Sequence, residues 1–493
     1  MLSIDPLRKP PDIDIKLGGS KSITNRSLIV AALAKGTSTL HGALFAEDTY
    51  AMIDCLRRLG IQIECDEVAK SIVVVGSSGH LRSTGETLWV RQSGTTARFI
   101  MPLAAISGSE IRIDGDPQIL NRPHQELFGA LQELGVLITF DGKENHLPVT
   151  INGIDLVAKE VSLNAEISSQ YVSALLLAAP CMPEDLIVSV EGKLVSESYL
   201  AMTLSVMRSF GAVVEELDKN KFLVRSTGYK SHDYQIEADA STSSYFFAVA
   251  AMTKGRVKVE GLGSSSIQGD VQFVDILEEM GAEVSRSEEA IEVRGTSSLR
   301  GLNVSMESIS DTAPTLAVMA PSAETTTSVT DIGFIAYKES NRIEAVVAEL
   351  QKLGIEASEN STGFTISPGE VNSGVVHTYD DHRIAMAFTV LGLISPGISL
   401  DNPECVSKTA PDFFDHVDLL RLEGDQELAI LAIDGPAGSG KTSLAKRLAS
   451  ELDFEYLDTG AMYRSVTARV LEEGINPEDQ HAVTKIANQI SIV

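Results

Sequence analysis

The 493-residue sequence predicts an α/β protein assembled from small repeated subdomains. Three observations carry this: a helix–glycine–strand pattern that occurs five times, a nearly constant spacing between its copies, and a length too great for one core. With 43% apolar and 22% charged residues the composition is globular. A chain this long divides into two or three domains.

The repeated unit is an apolar residue, two mostly polar ones, a second apolar residue, Gly, and a short β-like run. It reads LRRLGIQIE around Gly60, LQELGVLITF around Gly135, MRSFGAVVEE around Gly211, LEEMGAEVS around Gly281 and LQKLGIEAS around Gly354. The glycines stand 75, 76, 70 and 73 residues apart, too far for a solenoid and right for an α/β subdomain. Each copy predicts an amphipathic helix closed by Gly and then a strand. A second strand usually follows, as in KSIVVVG and EAIEVRG. Five copies, with an incomplete sixth from the remaining segments, predict two domains of about three subdomains each. At RLEGDQE, near residues 422–427, the composition changes and a further domain begins.

Forty basic against 68 acidic residues give a net charge of −28, which argues against nucleic-acid or anionic-membrane partners. No apolar run approaches the roughly 18 residues that span a bilayer. The N-terminus MLSIDPLRKPPDIDIKLGG lacks the layout of a signal peptide. Four scattered cysteines (55, 65, 181, 405) form no disulfide framework and no C-x-x-C metal knuckle. A reducing cytoplasm is the expected location.

The first chemical motif is GGSKSITNRSLIVAALAKG, residues 18–36. Ser20 or Ser22 caps a helix, and Lys21 and Arg26 lie near its N-terminus, where free N–H groups already favour an anion. RQSGTTARFIMPLA (91–104) repeats the design with Gly94 and Arg98, and GDPQILNRPHQEL (115–127) places Arg122 before Pro123, expected at the first helical position. In EISSQYVSALLLAA (166–179), Ser168, Ser169 and Gln170 offer hydroxyls and an amide to a polyoxygenated ligand. Taken one at a time, each segment also reads as a plain N-cap. Later in the chain come SDTAPTLAVMA with Asp311, YKESNRIEA with Lys338, Glu339 and Arg342, YDDHRIAMAF with Asp381, His382 and Arg383, and CVSKTAPDFF with Lys408. YKESNR alone fits an exposed ion-pair helix better than a site, whereas DDHR holds its charges at the entrance of an apolar helix.

In their order, GGSKSITNR, QSGTTAR, NRP, SSQY, SDTAP, YKESNR, DDHRIAMAF and SKTAPDFF resemble the EPSP synthase family over about 420 residues. The resemblance implies an enolpyruvyl transferase fold of two domains, 1–17 plus 237–424 and 18–236, each of three βαβαββ subdomains. It implies transfer of the enolpyruvyl group of phosphoenolpyruvate to shikimate 3-phosphate, with phosphate released and no metal or organic cofactor. The expected partners are these two small anions, and the expected state is a monomer. Lys21, Ser22, Arg26, Ser168, Ser169, Gln170, Ser196, Tyr199, Asp311 and Lys338 are then expected to bind shikimate 3-phosphate. Lys21, Gly94, Arg122, Gln170, Arg342, Arg383 and Lys408 are expected to bind phosphoenolpyruvate. The resemblance makes Asp311 the acceptor of the 5-hydroxyl proton, and Lys21 and Glu339 the groups that exchange the proton at the methylene carbon. Departures fall at Gln92, where Asn is usual, at Phe334-Ile335-Ala336-Tyr337, where many members carry Asn-x-Arg-Val, at Asn341, where Asp is common, and at Phe99, where a Pro is frequent in some members.

Residues 427–442, ELAILAIDGPAGSGKT, place Gly435, Gly440, Lys441 and Thr442 between an apolar strand and a helix, the phosphate-loop layout. Its amides and Lys441 suit nucleotide phosphates, and Thr442 suits magnesium. With LDTGAMYRSV (457–466) it resembles the start of cytidylate kinases, placing a kinase-like domain at 427–493. ATP and magnesium would serve only a complete kinase domain. The sequence stops at Val493, before the later segments such kinases use, so kinase activity is not expected. Other readings are a transferase acting on a nucleotide sugar, a kinase on a 424-residue scaffold, and an inactive ligand-binding transferase.

Overall fold

The computed structural model describes residues 1–153, 159–166, 168–422, 441–452, 459–476 and 483–484. The chain divides into two units, Met1–Gln426 and Glu427–Val493.

Five four-stranded sheets of the first unit share one topology. In one of them Glu160–Asn164 runs parallel to Leu186–Glu191, which pairs antiparallel with Lys221–Val224 and so with Val214–Asp218. The other four repeat a parallel pair followed by an antiparallel hairpin. The sixth sheet is the incomplete copy: Gly374–Val376 parallel to Ile398–Leu400, with the N-terminal strand Leu2–Ser3 in place of the hairpin.

The five repeat glycines end their helices for one reason. Each has φ between +81° and +115°, a region where a Cβ is costly. The residue after each Gly donates its N–H to a helix carbonyl five residues back, as from Ile61 to Leu56 and from Val136 to Leu131. This closes the helix and turns the chain into the hairpin.

Two separate apolar cores fill the unit. One gathers residues from Ile23 to Ile236, the other Ile4–Leu17 with Val195 and Ala238–Leu420. Helices buried on nearly every face run through them: Lys21–Leu33, Gly94–Ile106 and Gln170–Ala178 in the first, Ala240–Thr253, Ala313–Met319 and His382–Gly392 in the second. A helix apolar all round belongs inside, so polar groups concentrate at the helix entrances. The chain crosses between cores at 18–20 and 236–239, where Ser20 and Asp239 donate their N–H groups to the carbonyls of Glu237 and Gly18. A Cβ on Gly19 would stand 1.9 Å from the carbonyl oxygen of Gly42, so only glycine fits this crossing.

Ser20 is the cap of the Lys21 helix, accepting from the Ile23 N–H. Pro123 corrects one expectation. The next helix is Gln125–Glu133 with His124 as its cap, so Pro123 lies outside it, its carbonyl taken by the Tyr171 hydroxyl. The tertiary bond fixes the chain there and helix growth starts two residues later.

The second unit contains the helices Lys441–Leu452 and Thr459–Glu472. Lys441 and Thr442 open the first of these, while Gly435, Gly440 and the expected strand lie outside the described residues. Among the described residues no helix is long and apolar enough to cross a membrane.

Candidate active site

The helix entrances of both cores meet at a cavity of about 40 Å³. Lys21, Asp48, Gly94, Thr95, Arg98, Arg122 and Gln170 form one wall; Asp311, Tyr337, Lys338, Glu339, Arg342, His382 and Arg383 form the other. Six cations face three carboxylates, so this spot is positive within a strongly acidic protein. Such a site attracts small anions.

Arg342 is the hub of the second wall. It is 2% exposed and donates through Nε to Asp381 Oδ2 at 2.9 Å, through Nη1 to Asp311 Oδ1 at 3.1 Å, and through Nη2 to Glu339 Oε2 at 2.7 Å. Asp381 also caps the His382–Gly392 helix by accepting the Arg383 N–H. Arg383 Nη2 donates to Asp311 Oδ2 at 2.7 Å, and Lys408 Nζ to Glu339 Oε1 at 2.7 Å. Arg122 Nη2 reaches that same oxygen at 3.4 Å. Glu339 and Arg342 of YKESNR therefore belong to an enclosed ion network, while Tyr337 and Asn341 stay exposed.

These charges set the protonation states. Burial pushes Asp311 upward, but Arg383, Lys338, Arg342 and Lys21 outweigh it and hold the carboxyl well below the usual range. Burial likewise opposes ionisation of Glu339, and Lys408, Arg122 and Arg342 overcome it. Both are carboxylates at neutral pH. Burial lowers the Lys338 ammonium, with Asp311 opposing. It drives His382 well below 6.5, leaving a neutral ring.

The first wall is built differently. Lys21 Nζ lies 3.3 Å from Asp48 Oδ2, and Arg98 donates to Gln170 Oε1 at 2.6 Å while standing over the Tyr171 ring. Arg26 does not line the cavity. It is fully buried behind it, giving hydrogen bonds to Thr203 Oγ1 (2.7 Å) and to the carbonyls of Ser22 and Tyr199. Burial lowers its guanidinium to about 10. Ser168, Ser169 and Ser196 are buried at the starts of their helices, with Ser196 in the left-handed region at φ +52°. A Cβ on Gly94 would stand 2.9 Å from Arg122 Nη1, so glycine leaves room for that head group.

Sequence reasoning missed Asp48 and Asp270, and it placed Arg98 and His382 at helix entrances without assigning either to a substrate. Asp48 carries the ordinary signature of a first-turn acid in the Glu47–Arg58 helix, and GDVQF around Asp270 has no motif. Phe334 and Ile335 are packed in the second core, so of that departing segment only Tyr337 reaches the cavity. Asn341 caps the Arg342–Lys352 helix as Asp would.

The family model for EPSP synthase (3-phosphoshikimate 1-carboxyvinyltransferase) matches residues 9–417, and that for cytidylate kinase matches residues 431–493. The chain is 42% identical to the 3-phosphoshikimate 1-carboxyvinyltransferase of Trichormus variabilis, over 84% of this chain and 97% of the relative. It is 40% identical to 3-phosphoshikimate 1-carboxyvinyltransferase 2 of Halalkalibacterium halodurans, over 85% and 94%. An EPSP synthase structure from Acinetobacter baumannii superposes with a TM-score of 0.73 at 26% identity, covering 86% of this chain and 98% of that one.

Proposed function

Because the chain belongs to the EPSP synthase family, we propose that its two cavity walls divide the work of one reaction. That reaction moves the enolpyruvyl group of phosphoenolpyruvate to the 5-hydroxyl of shikimate 3-phosphate and releases phosphate, a step of the shikimate pathway towards chorismate and the aromatic amino acids.

Shikimate 3-phosphate is assigned to Lys21, Ser22, Arg26, Ser168, Ser169, Gln170, Ser196 and Tyr199, with Asp311 and Lys338 facing it. Phosphoenolpyruvate is assigned to Lys21, Gly94, Arg122, Gln170, Arg342, Arg383 and Lys408, whose planar guanidinium forks suit carboxylate and phosphate. The cavity of about 40 Å³ is far below the roughly 300 Å³ of an ordinary ligand pocket. The walls therefore part for the substrates, and cations now paired with Asp311 and Glu339 exchange them for substrate anions.

The 5-oxygen attacks the central carbon of phosphoenolpyruvate, and its proton goes to Asp311. Lys21 and Glu339 deliver a proton to the methylene carbon and later remove one, as the carbon–oxygen bond to phosphate breaks. The observation that carries this reading is Asp311 held between Arg342 and Arg383 on a wall dense in cations. Phosphate release, measured with each substrate omitted in turn, tests it. Release must need both substrates and be abolished by Lys21→Ala or Asp311→Ala; release from either variant at the native rate contradicts it.

Protein groups take every proton, so the transfer needs no metal or organic cofactor, and a chelator is expected to leave the rate unchanged. A monomer is expected, testable by size-exclusion chromatography. Four free cysteines suit a reducing cytoplasm. The kinase-like segment takes no part in the transfer.

A further inference from the structure

Linked to Asp311 through Tyr199, and not lining the cavity, is a buried carboxylate that the reaction described above does not use. Asp270 is 4% exposed and sits in the short turn Gly269–Gln272. The Tyr199 hydroxyl oxygen stands 3.0 Å from Asp311 Oδ2 and 3.3 Å from Asp270 Oδ2. It has one hydrogen, so it donates to one carboxylate at a time. Two arginines grip Asp311, whereas among the described residues Asp270 receives only the hydroxyls of Ser241 and Tyr199, and its Oδ1 has no partner there.

We infer that Asp270 is the final acceptor of the proton that leaves the 5-hydroxyl, reached from Asp311 through the hydroxyl of Tyr199. The inference rests on the assignment of Asp311 as first acceptor. The O–H bond of the substrate breaks as its oxygen bonds to carbon, and the proton passes to Asp311. Asp311 then protonates the Tyr199 oxygen while the original Tyr199 hydrogen moves to Asp270 Oδ2. Asp311 returns to a carboxylate and Asp270 ends as a neutral acid. Asp270 touches neither substrate and acts only through Tyr199.

The direction of transfer follows from the surroundings. Two guanidiniums make Asp311 a weak base, so it holds a proton poorly. Burial, and then Asp311, push Asp270 up to about 6, with Arg383 and Ser241 opposing and Asp239 adding to the rise. On the neighbouring Phe273–Met280 helix, Asp275 is turned outward to Arg286. Near neutral pH Asp270 is ionised and free to accept; below about pH 6 it is already protonated and the path is closed.

The test is the pH profile of kcat for the full chain. The wild type is expected to lose activity on an acid limb near pH 6. Asp270→Asn is expected to lower kcat by about 10- to 100-fold, remove that limb, and leave both KM values within about twofold. Ser241→Ala removes a hydrogen bond to the ionised form, so the limb should move up by roughly half a pH unit or more. Asp270→Glu should restore part of kcat. An unmoved limb in both Asp270→Asn and Ser241→Ala overturns the relay. Ser241→Ala is small enough to keep the question answerable if Asp270→Asn fails to fold. Should Asp311→Asn retain kcat, the reading of Asp311 itself falls. If Asp311→Asn is inactive while the limb stays put in the other two, only the relay falls.

Discussion

Two arginines, Arg26 behind the first wall and Arg342 within the second, are almost completely buried, and they are kept charged in opposite ways. Arg26 is 1% exposed and meets only neutral acceptors and the rings of Phe99 and Tyr199. Burial therefore pulls its guanidinium down to about 10. Arg342, 2% exposed, is surrounded by Asp311, Glu339 and Asp381, and these raise it above the ordinary arginine value despite burial. Behind the first wall the charge of Arg26 is met by dipoles and hydroxyls, and in the second the charge of Arg342 is met by counter-ions.

The sharpest break in this contrast is expected at Asp311. Asp311→Asn should reduce kcat by roughly 10²- to 10⁴-fold in a phosphate-release assay, with protein still folded by circular dichroism. Next in size is a pair of substitutions measured by denaturant unfolding. Arg342→Met leaves three buried carboxylates without their shared cation and should cost about 3–5 kcal/mol. Arg26→Met leaves only neutral acceptors and should cost about 1–3 kcal/mol. Equal losses would erase the distinction between the walls.

Stability against pH sharpens the contrast within the second wall. Asp311 and Glu339 have folded pKa values below their unfolded ones, so their contribution is full above about pH 4 and is lost as pH falls below it. Asp270 has the reverse sign. Its folded value of about 6 exceeds the ordinary aspartate value, so the wild type should gain on Asp270→Asn by on the order of 1–3 kcal/mol as pH falls from 8 to 4. Buried His124 and His382, which also titrate with folding, are present in both proteins and cancel in the difference. The smallest expected effect is that of Gly94→Ala. The added methyl displaces the flexible head of Arg122 and should raise the KM for phosphoenolpyruvate several-fold, about 1 kcal/mol of binding, with kcat little changed.

The same contrast decides what was legible in the sequence. The five glycines were readable because a left-handed helix end needs glycine and leaves a mark at fixed spacing. Helix entrances carrying Lys21, Gly94, Gln170 and Arg383 were readable because a cation or hydroxyl beside an apolar helix is locally out of place. Partners brought in from afar were not. Asp48 meets Lys21 across 27 residues, and Asp270 meets Tyr199 across 71, with no local signal of either. YKESNR looked like a surface charge run because burial of an ion network is decided by the cores around it. Pro123 was misplaced because the hydrogen bond from Tyr171 to its carbonyl is equally invisible in local sequence.

The most direct test of the division between the walls is calorimetric titration of shikimate 3-phosphate alone into two variants. Ser168→Ala/Ser169→Ala removes neutral donors from the first wall, and Lys408→Ala removes a cation from the second. The account predicts a Kd raised about tenfold or more in the double variant and changed by no more than about twofold in Lys408→Ala. A tenfold loss in Lys408→Ala, with binding intact in the serine variant, would contradict it.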